Sequence, residues 1–162
     1  MTFFGTGCDV TLNDVLFGLR DGVGQSKAFY TLVDPTLWVA KVVNTNGGTV
    51  IFTPIDYCII LYKPGTNKKE STCDGMLTKG NALHLVELKE RRSAKKAKSK
   101  GIKQLKNTIR LLKAHENLAP YTDKKAHVCN RLHPTATITA ATNKQFLDDT
   151  GFRLGTHAMI TV

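Results

Sequence analysis

Asp74, Glu87 and Lys89 are the residues of this sequence whose types and spacing could do chemistry together. They lie in Cys73-Asp74-Gly75-Met76-Leu77, then a short polar turn, then Leu83-His84-Leu85-Val86-Glu87-Leu88-Lys89. In a strand, side chains alternate between faces and the rise is about 3.3 Å per residue, so Glu87 and Lys89 project from one face while Val86 and Leu88 pack on the other. Pairing of the two segments as a hairpin brings Asp74 beside them. Two carboxylates can fix a hard divalent cation through oxygen, and the cation polarises a phosphoryl oxygen and acidifies water. A neighbouring ammonium orients that water or stabilises the developing charge. A bare Glu-x-Lys is in most chains a solvated charge pair, so the weight rests on what surrounds it.

The elements that would position these residues can be read on either side. Val50-Ile51-Phe52 and Ile55 to Tyr62 form an apolar, β-branched and aromatic run ended by Lys63-Pro64-Gly65, which predicts a buried strand and a turn. Thr78-Lys79-Gly80-Asn81 has the composition of a hairpin turn between the Asp74 and Glu87 segments. After Lys89, the apolar residues Ile102, Leu105, Ile109 and Leu112 recur at helical spacing, beside a basic stripe of Lys103, Lys106, Arg110 and Lys113. Three strands and then a helix is the expected order.

With these residues in place the chain resembles the PD-(D/E)XK nuclease superfamily, whose members share the restriction-endonuclease-like fold. The resemblance covers about residues 48–133 and is carried by Asp74, by Glu87-Leu88-Lys89 and by Gln104-Leu105 in the following helix. It implies an α/β domain with a mixed β-sheet flanked by helices, here with an extra N-terminal β-meander. It further implies Asp74 and Glu87 as ligands of Mg2+ or Mn2+, Lys89 as the residue that positions the attacking water, and Gln104 as a support of the site. Cys73 stands where many members have proline. Some members add a glutamate from a first helix; Asp9, Asp14 and Glu70 are the residues that could stand in for it, and the position is left unassigned. The activity implied is metal-dependent hydrolysis of nucleic acid, DNA rather than RNA, leaving a 5′-phosphate. Two other readings compete: a non-cleaving nucleic-acid-binding subunit of a repair, transposition or mobile-element complex with the same fold, and a basic structural RNA-binding protein of unrelated α+β fold in which Glu87 and Lys89 are only a surface pair.

Charge agrees with a polyanionic partner. The 162 residues hold 23 Lys and Arg against 13 Asp and Glu, a net +10. The densest run, from Arg91 and Arg92 through Lys95, Lys96, Lys98 and Lys100, follows Lys89 directly and continues to Lys103 and Lys106. A basic segment leaving the active strand can neutralise phosphates on both sides of a scissile bond, as a loop or as the first turns of the helix. No aromatic residue interleaves with it, so backbone contact without stacking is expected there. A membrane is not expected as a partner, since no apolar run is long enough to span one. A homodimer, or a protein partner in a larger complex, is the assembly that the resemblance implies for a small nuclease cutting two strands.

The length suits one domain over residues 1–162 that needs no disulfide or structural metal. Cys8, Cys58, Cys73 and Cys129 are scattered, which suggests reduced thiols, and with no secretory signal at Met1-Thr2-Phe3-Phe4-Gly5 a cytoplasmic location is expected. His127 and Cys129 fall on one side of a strand without marked partners, and His84 falls on the face away from Glu87, so all three read as structural. Residues 9–20 suggest a short first helix, and Ala28 to Val33 with Thr36 to Val43 an antiparallel meander with Trp38 in the core. Ala126 to Leu132 reads as a fourth core strand, Asn143 to Asp149 as a helix and His157 to Val162 as a last strand.

Overall fold

The computed structural model describes all residues, Met1–Val162, as an α/β protein of two sheets and two helices. The first sheet has six strands, β1 (Val10–Leu12), β5 (Val50–Pro54), β6 (Gly75–Lys79), β7 (Ala82–Lys89), β8 (Asp123–Asn130) and β9 (Arg153–Gly155), in the spatial order β1-β5-β6-β7-β8-β9. The second has four, β2 (Leu16–Arg20), β3 (Phe29–Thr31), β4 (Ala40–Val43) and β10 (Met159–Thr161), in the order β10-β4-β2-β3. Helix α1 (Ala94–His115) joins β7 to β8, and α2 (Ala140–Thr150) lies between β8 and β9.

The larger sheet is mixed. Strands β5, β6 and β7 run antiparallel, with the tight Gly80-Asn81 turn closing the Lys79↔Ala82 pair; β7, β8 and β9 run parallel, because α1 and α2 supply the crossovers that parallel strands require. Alternation along β6 and β7 sorts the core into two halves. Met76, Leu83 and Leu85 face the helices, packing with Leu105, Ile109 and Leu112 of α1 and Phe146 of α2. Leu77, Val86 and Leu88 face the smaller sheet, packing with Phe17, Leu19, Ala40, Val42 and Ile160. Three layers result: helices, large sheet, small sheet. Helix α1 begins at Ser93, whose side chain accepts a hydrogen bond from the Lys96 N–H, so the basic run from Lys95 to Lys100 is helical from its start.

Several expectations are corrected. Residues 9–20 form β1 and β2, one in each sheet, instead of a helix. Gly18 in the middle of β2 would weaken a helix by about 1 kcal/mol, and its bare backbone is needed here: a Cβ would lie 2.2 Å from the Trp38 ring. Trp38 is half-buried over that strand, with its Nε1 donating to the Val33 carbonyl at 2.9 Å, and is not a core residue. The meander is not sequential either, because β2 inserts between β3 and β4 and pairs antiparallel with both. The Ile55 to Tyr62 run is no strand; β5 stops at Pro54, and the chain turns through Tyr57 at φ 61°. The last strand pairs with β4 in the small sheet, and β9 was not foreseen.

The thiols are also not all free. Cys8 and Cys58 form a disulfide that closes 50 residues of separation, while Cys73 and Cys129 are free and buried. Sequence spacing gave no hint of the pair, since it joins the chain start to the turn after β5. No helix is long and apolar enough to cross a membrane. A loop of that length restricts the unfolded chain, so reduction of the disulfide should lower the unfolding free energy by about 2–4 kcal/mol. Urea denaturation with and without reductant measures this, and a Cys8→Ser, Cys58→Ser protein should be indifferent to the reductant.

Candidate active site

The β6–β7 hairpin sets the site. The register opposes Gly75 to Val86, so Asp74, one residue before β6, falls level with Glu87. Its Oδ2 accepts the Leu88 backbone N–H at 2.6 Å, leaving the other oxygen to the cleft. Glu87 and Lys89 share the helix-facing side of β7, as alternation requires, and His84 is on the other. Lys89 donates to Glu87 Oε1 and, at 3.0 Å, to Gln104 Oε1; Gln104 Nε2 donates to the Thr72 carbonyl at 3.1 Å. Asp74, Glu87, Lys89 and Gln104, drawn from three elements, therefore line one cleft of about 560 Å³.

Close approach of α1 makes this possible. Gly101 lies against β7 and β8 where a Cβ would sit 2.7 and 2.8 Å from the Val128 methyls and 3.3 Å from Glu87 Cγ. Glycine in a helix interior costs about 1 kcal/mol, and the lowered backbone is what lets Gln104, three residues on, reach Lys89. At the other end, Asn130 brackets Arg91 by accepting from its N–H at 3.1 Å and donating to its carbonyl at 2.8 Å, which fixes how the chain leaves β7.

Acidic side chains outnumber basic ones in the cleft. Asp21, Asp56, Asp74, Glu87 and Glu90 line it, against Lys89, Arg91 and Lys100. Glu87 is fully buried and its Oε2 has no hydrogen-bond partner. Burial first, and the Asp74 charge second, push its pKa well above the usual carboxylate range. Burial likewise raises Asp74 to about 7, against the lowering effect of the Leu88 N–H, with Asp21 adding to the rise and Lys89 opposing it. Burial also raises Asp21, opposed by the Gly22 N–H and Lys89.

An orphaned buried carboxylate oxygen beside a second carboxyl, both destabilised as anions, is a donor set that fits a hard divalent cation. No three His, Cys, Asp or Glu side chains gather into a complete cage. Mg2+ does not need one: it is commonly held by one or two carboxylates, with waters and substrate phosphate filling its octahedron. Asp74 and Glu87 are the pair that could hold it.

The structure places the other sequence candidates as follows. Arg91 and Lys100 line the cleft; Arg92, Lys95, Lys96 and Lys103 are exposed around the start of α1. Lys98 reaches toward the Thr137 carbonyl at 3.4 Å, and Lys106 is turned away to Asp149 of α2 at 2.6 Å. Asp9 accepts from Thr6 and Thr53, and Glu70 is held by Asn107 and Arg110, so neither faces the cleft; the Asp14 carbonyl is bound by Asn44 in the turn between β1 and β2. Acids that do join the site include Asp21, from the connection after β2. Nothing local marks it, because it arrives through the packing of one sheet on the other. Asp56 and Tyr57 join the site from the turn after β5, where the sequence reads as a continuous strand. His84 and His127 are a buried stacked pair, Nδ1 to Nε2 at 3.1 Å, on the opposite face of the sheet. Comparison of the chain with family models, curated proteins and solved structures finds no match.

The raised carboxyls have a consequence for stability. A carboxyl whose pKa rises on folding binds its proton more tightly in the folded chain, so its contribution to stability is lost as pH climbs from the ordinary value of 3.8 through the folded value of about 7. In chelator-containing buffer, the Asp74 contribution should therefore fall between about pH 4 and 7, and that of Glu87 should be lost in the same direction as pH rises. Denaturation midpoints across that range should show a shallower decline in Asp74→Asn than in the unaltered chain, and Mg2+ should restore stability near pH 8 only where both carboxyls are present.

Proposed function

We propose that this protein is a metal-dependent nuclease that hydrolyses phosphodiester bonds in nucleic acid, with DNA as the preferred substrate. The observation that carries the reading is the convergence of Asp74, Glu87, Lys89 and Gln104 in one cleft, with Glu87 buried and one of its oxygens left without a partner. The order of three antiparallel strands, a helix and a strand parallel to the third supports the resemblance to the PD-(D/E)XK superfamily and a restriction-endonuclease-like core.

A divalent cation, Mg2+ or Mn2+, would supply charge at the phosphoryl oxygen and a more acidic water. The chain's own residues do the remainder. Asp74 and Glu87 present oxygens from adjacent strands whose separation the hairpin fixes. Lys89, pinned between Glu87 and Gln104, keeps its ammonium beside them, where it can orient the attacking water or stabilise charge growing on the phosphate. Arg91, Lys100 and the exposed lysines at the start of α1 neutralise backbone phosphates on either side, and the positive end of the helix dipole adds to them.

Purified protein should cleave DNA in Mg2+ or Mn2+ and not in chelator, and Glu87→Ala or Lys89→Ala should lower the rate by about two orders of magnitude or more while leaving a folded protein. Absence of cleavage on duplex, nicked, single-stranded and branched DNA and on RNA, with either metal, would overturn the proposal in favour of a non-cleaving binding subunit. Affinity separates from chemistry in a second measurement. Neutralising Lys95, Lys96, Lys98 and Lys100 together should flatten the log-log salt dependence of binding by about 0.9 per lost phosphate contact, equally for all sequences. An unchanged slope would move the interface elsewhere.

A further inference from the structure

Tyr57 lies on the wall of the same cleft as Asp74, Glu87 and Lys89 and is 42% exposed. Its backbone is left-handed, φ 61°, a conformation uncommon for a bulky side chain and one that persists only where the surroundings enforce it. They do so from several directions. The Asp56 carboxylate accepts the Tyr57 N–H at 3.1 Å and the Lys69 ammonium at 2.5 Å. The Ile55 carbonyl accepts the N–H groups of Cys58 and Ile59 at 3.1 and 2.8 Å. Cys58, the next residue, is bonded to Cys8. Lys69 Nζ rests 4.0 Å from the ring centroid, covering one face, and the ring stacks on no other aromatic.

An aromatic ring at the edge of the candidate cleft, backed by a cation, stacked on no other aromatic and 42% exposed, is suited to receive another flat ring. We propose that Tyr57 is a nucleobase-stacking platform, and that the preferred substrate carries an unpaired nucleotide beside the bond to be cut. The inference rests on the nuclease reading and adds its substrate class. Within a continuous duplex both faces of every base are covered by its neighbours, so a ring on the cleft wall can stack only on a base that has left the helix or was never paired. Single strands, flaps and gaps present such bases; intact duplex does not.

The test uses substitutions that separate the ring from the turn. Asparagine tolerates the left-handed conformation, so Tyr57→Asn removes the ring and keeps the backbone, while Tyr57→Phe keeps the ring. On flap or gapped DNA with a base at the unpaired position, Tyr57→Asn should weaken binding and lower kcat/KM roughly 5- to 150-fold, the range for loss of one base–aromatic stack. On the same DNA with an abasic site there, and on intact duplex, it should match the unaltered protein, and Tyr57→Phe should stay within about twofold throughout. No loss in Tyr57→Asn, an equal loss on abasic DNA, or an equal loss in Tyr57→Phe would each overturn the proposal. A fluorescent purine analogue at the unpaired position reads stacking without cleavage: its emission should be quenched by the unaltered protein in chelator and not by Tyr57→Asn. Quenching without cleavage would keep the platform and remove the nuclease; cleavage without quenching would do the reverse.

Discussion

A carboxylate with no solvent-exposed surface and one oxygen without a partner sits at the centre of this structure, on the helix-facing side of its longest core hairpin. Burying such a group costs several kcal/mol unless it is neutralised by a proton or compensated by opposite charge. Much of the neighbouring architecture can be understood as the means of holding Glu87 there. Lys89 provides the opposite charge two residues along the strand, Gln104 holds Lys89, and the Thr72 carbonyl holds Gln104. Gly101 lets α1 come near enough for that chain of contacts to close. Hydrophobic residues at the same place would pack with no such requirement, so the arrangement is one that stability alone does not explain.

The small sheet has two jobs. It covers the face of the large sheet opposite the helices and buries Leu77, Val86 and Leu88 there. It also extends the connection after β2 to the cleft, bringing Asp21 near the other carboxyls. Asp21 contributes to the raised pKa values of Asp74 and Glu87, so a segment belonging to the other layer shapes the electrostatics of the site. The disulfide does something similar for the turn at Asp56 and Tyr57, anchoring a cleft wall to the start of the chain.

What was legible in the sequence was local. The hairpin from Asp74 to Lys89 announced itself through alternation and its turn residues, and α1 through its period, so the four residues expected to share a site do line one cleft. The face of His84 was legible for the same reason. Residues 9–20 were misread because Val10, Val15, Leu16 and Leu19 fit a helical spacing loosely and because a strand in each of two sheets leaves no periodic signature of its own. The Cys8–Cys58 bond, Asp21 and Tyr57 were beyond reach, since each depends on segments distant in sequence meeting in space, and no residue near them encodes the encounter.

The distribution of charge separates attraction from chemistry. The chain carries a net charge of +10, yet the cleft is lined by five carboxyl groups against three cationic side chains. Under the proposed function, a phosphate entering it would meet repulsion at short range wherever those carboxyls are ionised. Protons can neutralise them, and Asp74 at about 7 is poised to hold one near neutral pH, but a protonated carboxyl is a poor ligand and a poor partner for Lys89. On the proposed reading, a divalent cation could do it while leaving both groups ionised, and it would bring positive charge to the cleft. Burial, and after it the mutual repulsion of the carboxyls, disfavours the anions of Asp74 and Glu87 in the folded chain, so under the proposed nuclease reading a bound cation would relieve both, and substrate and metal would each favour the other's arrival.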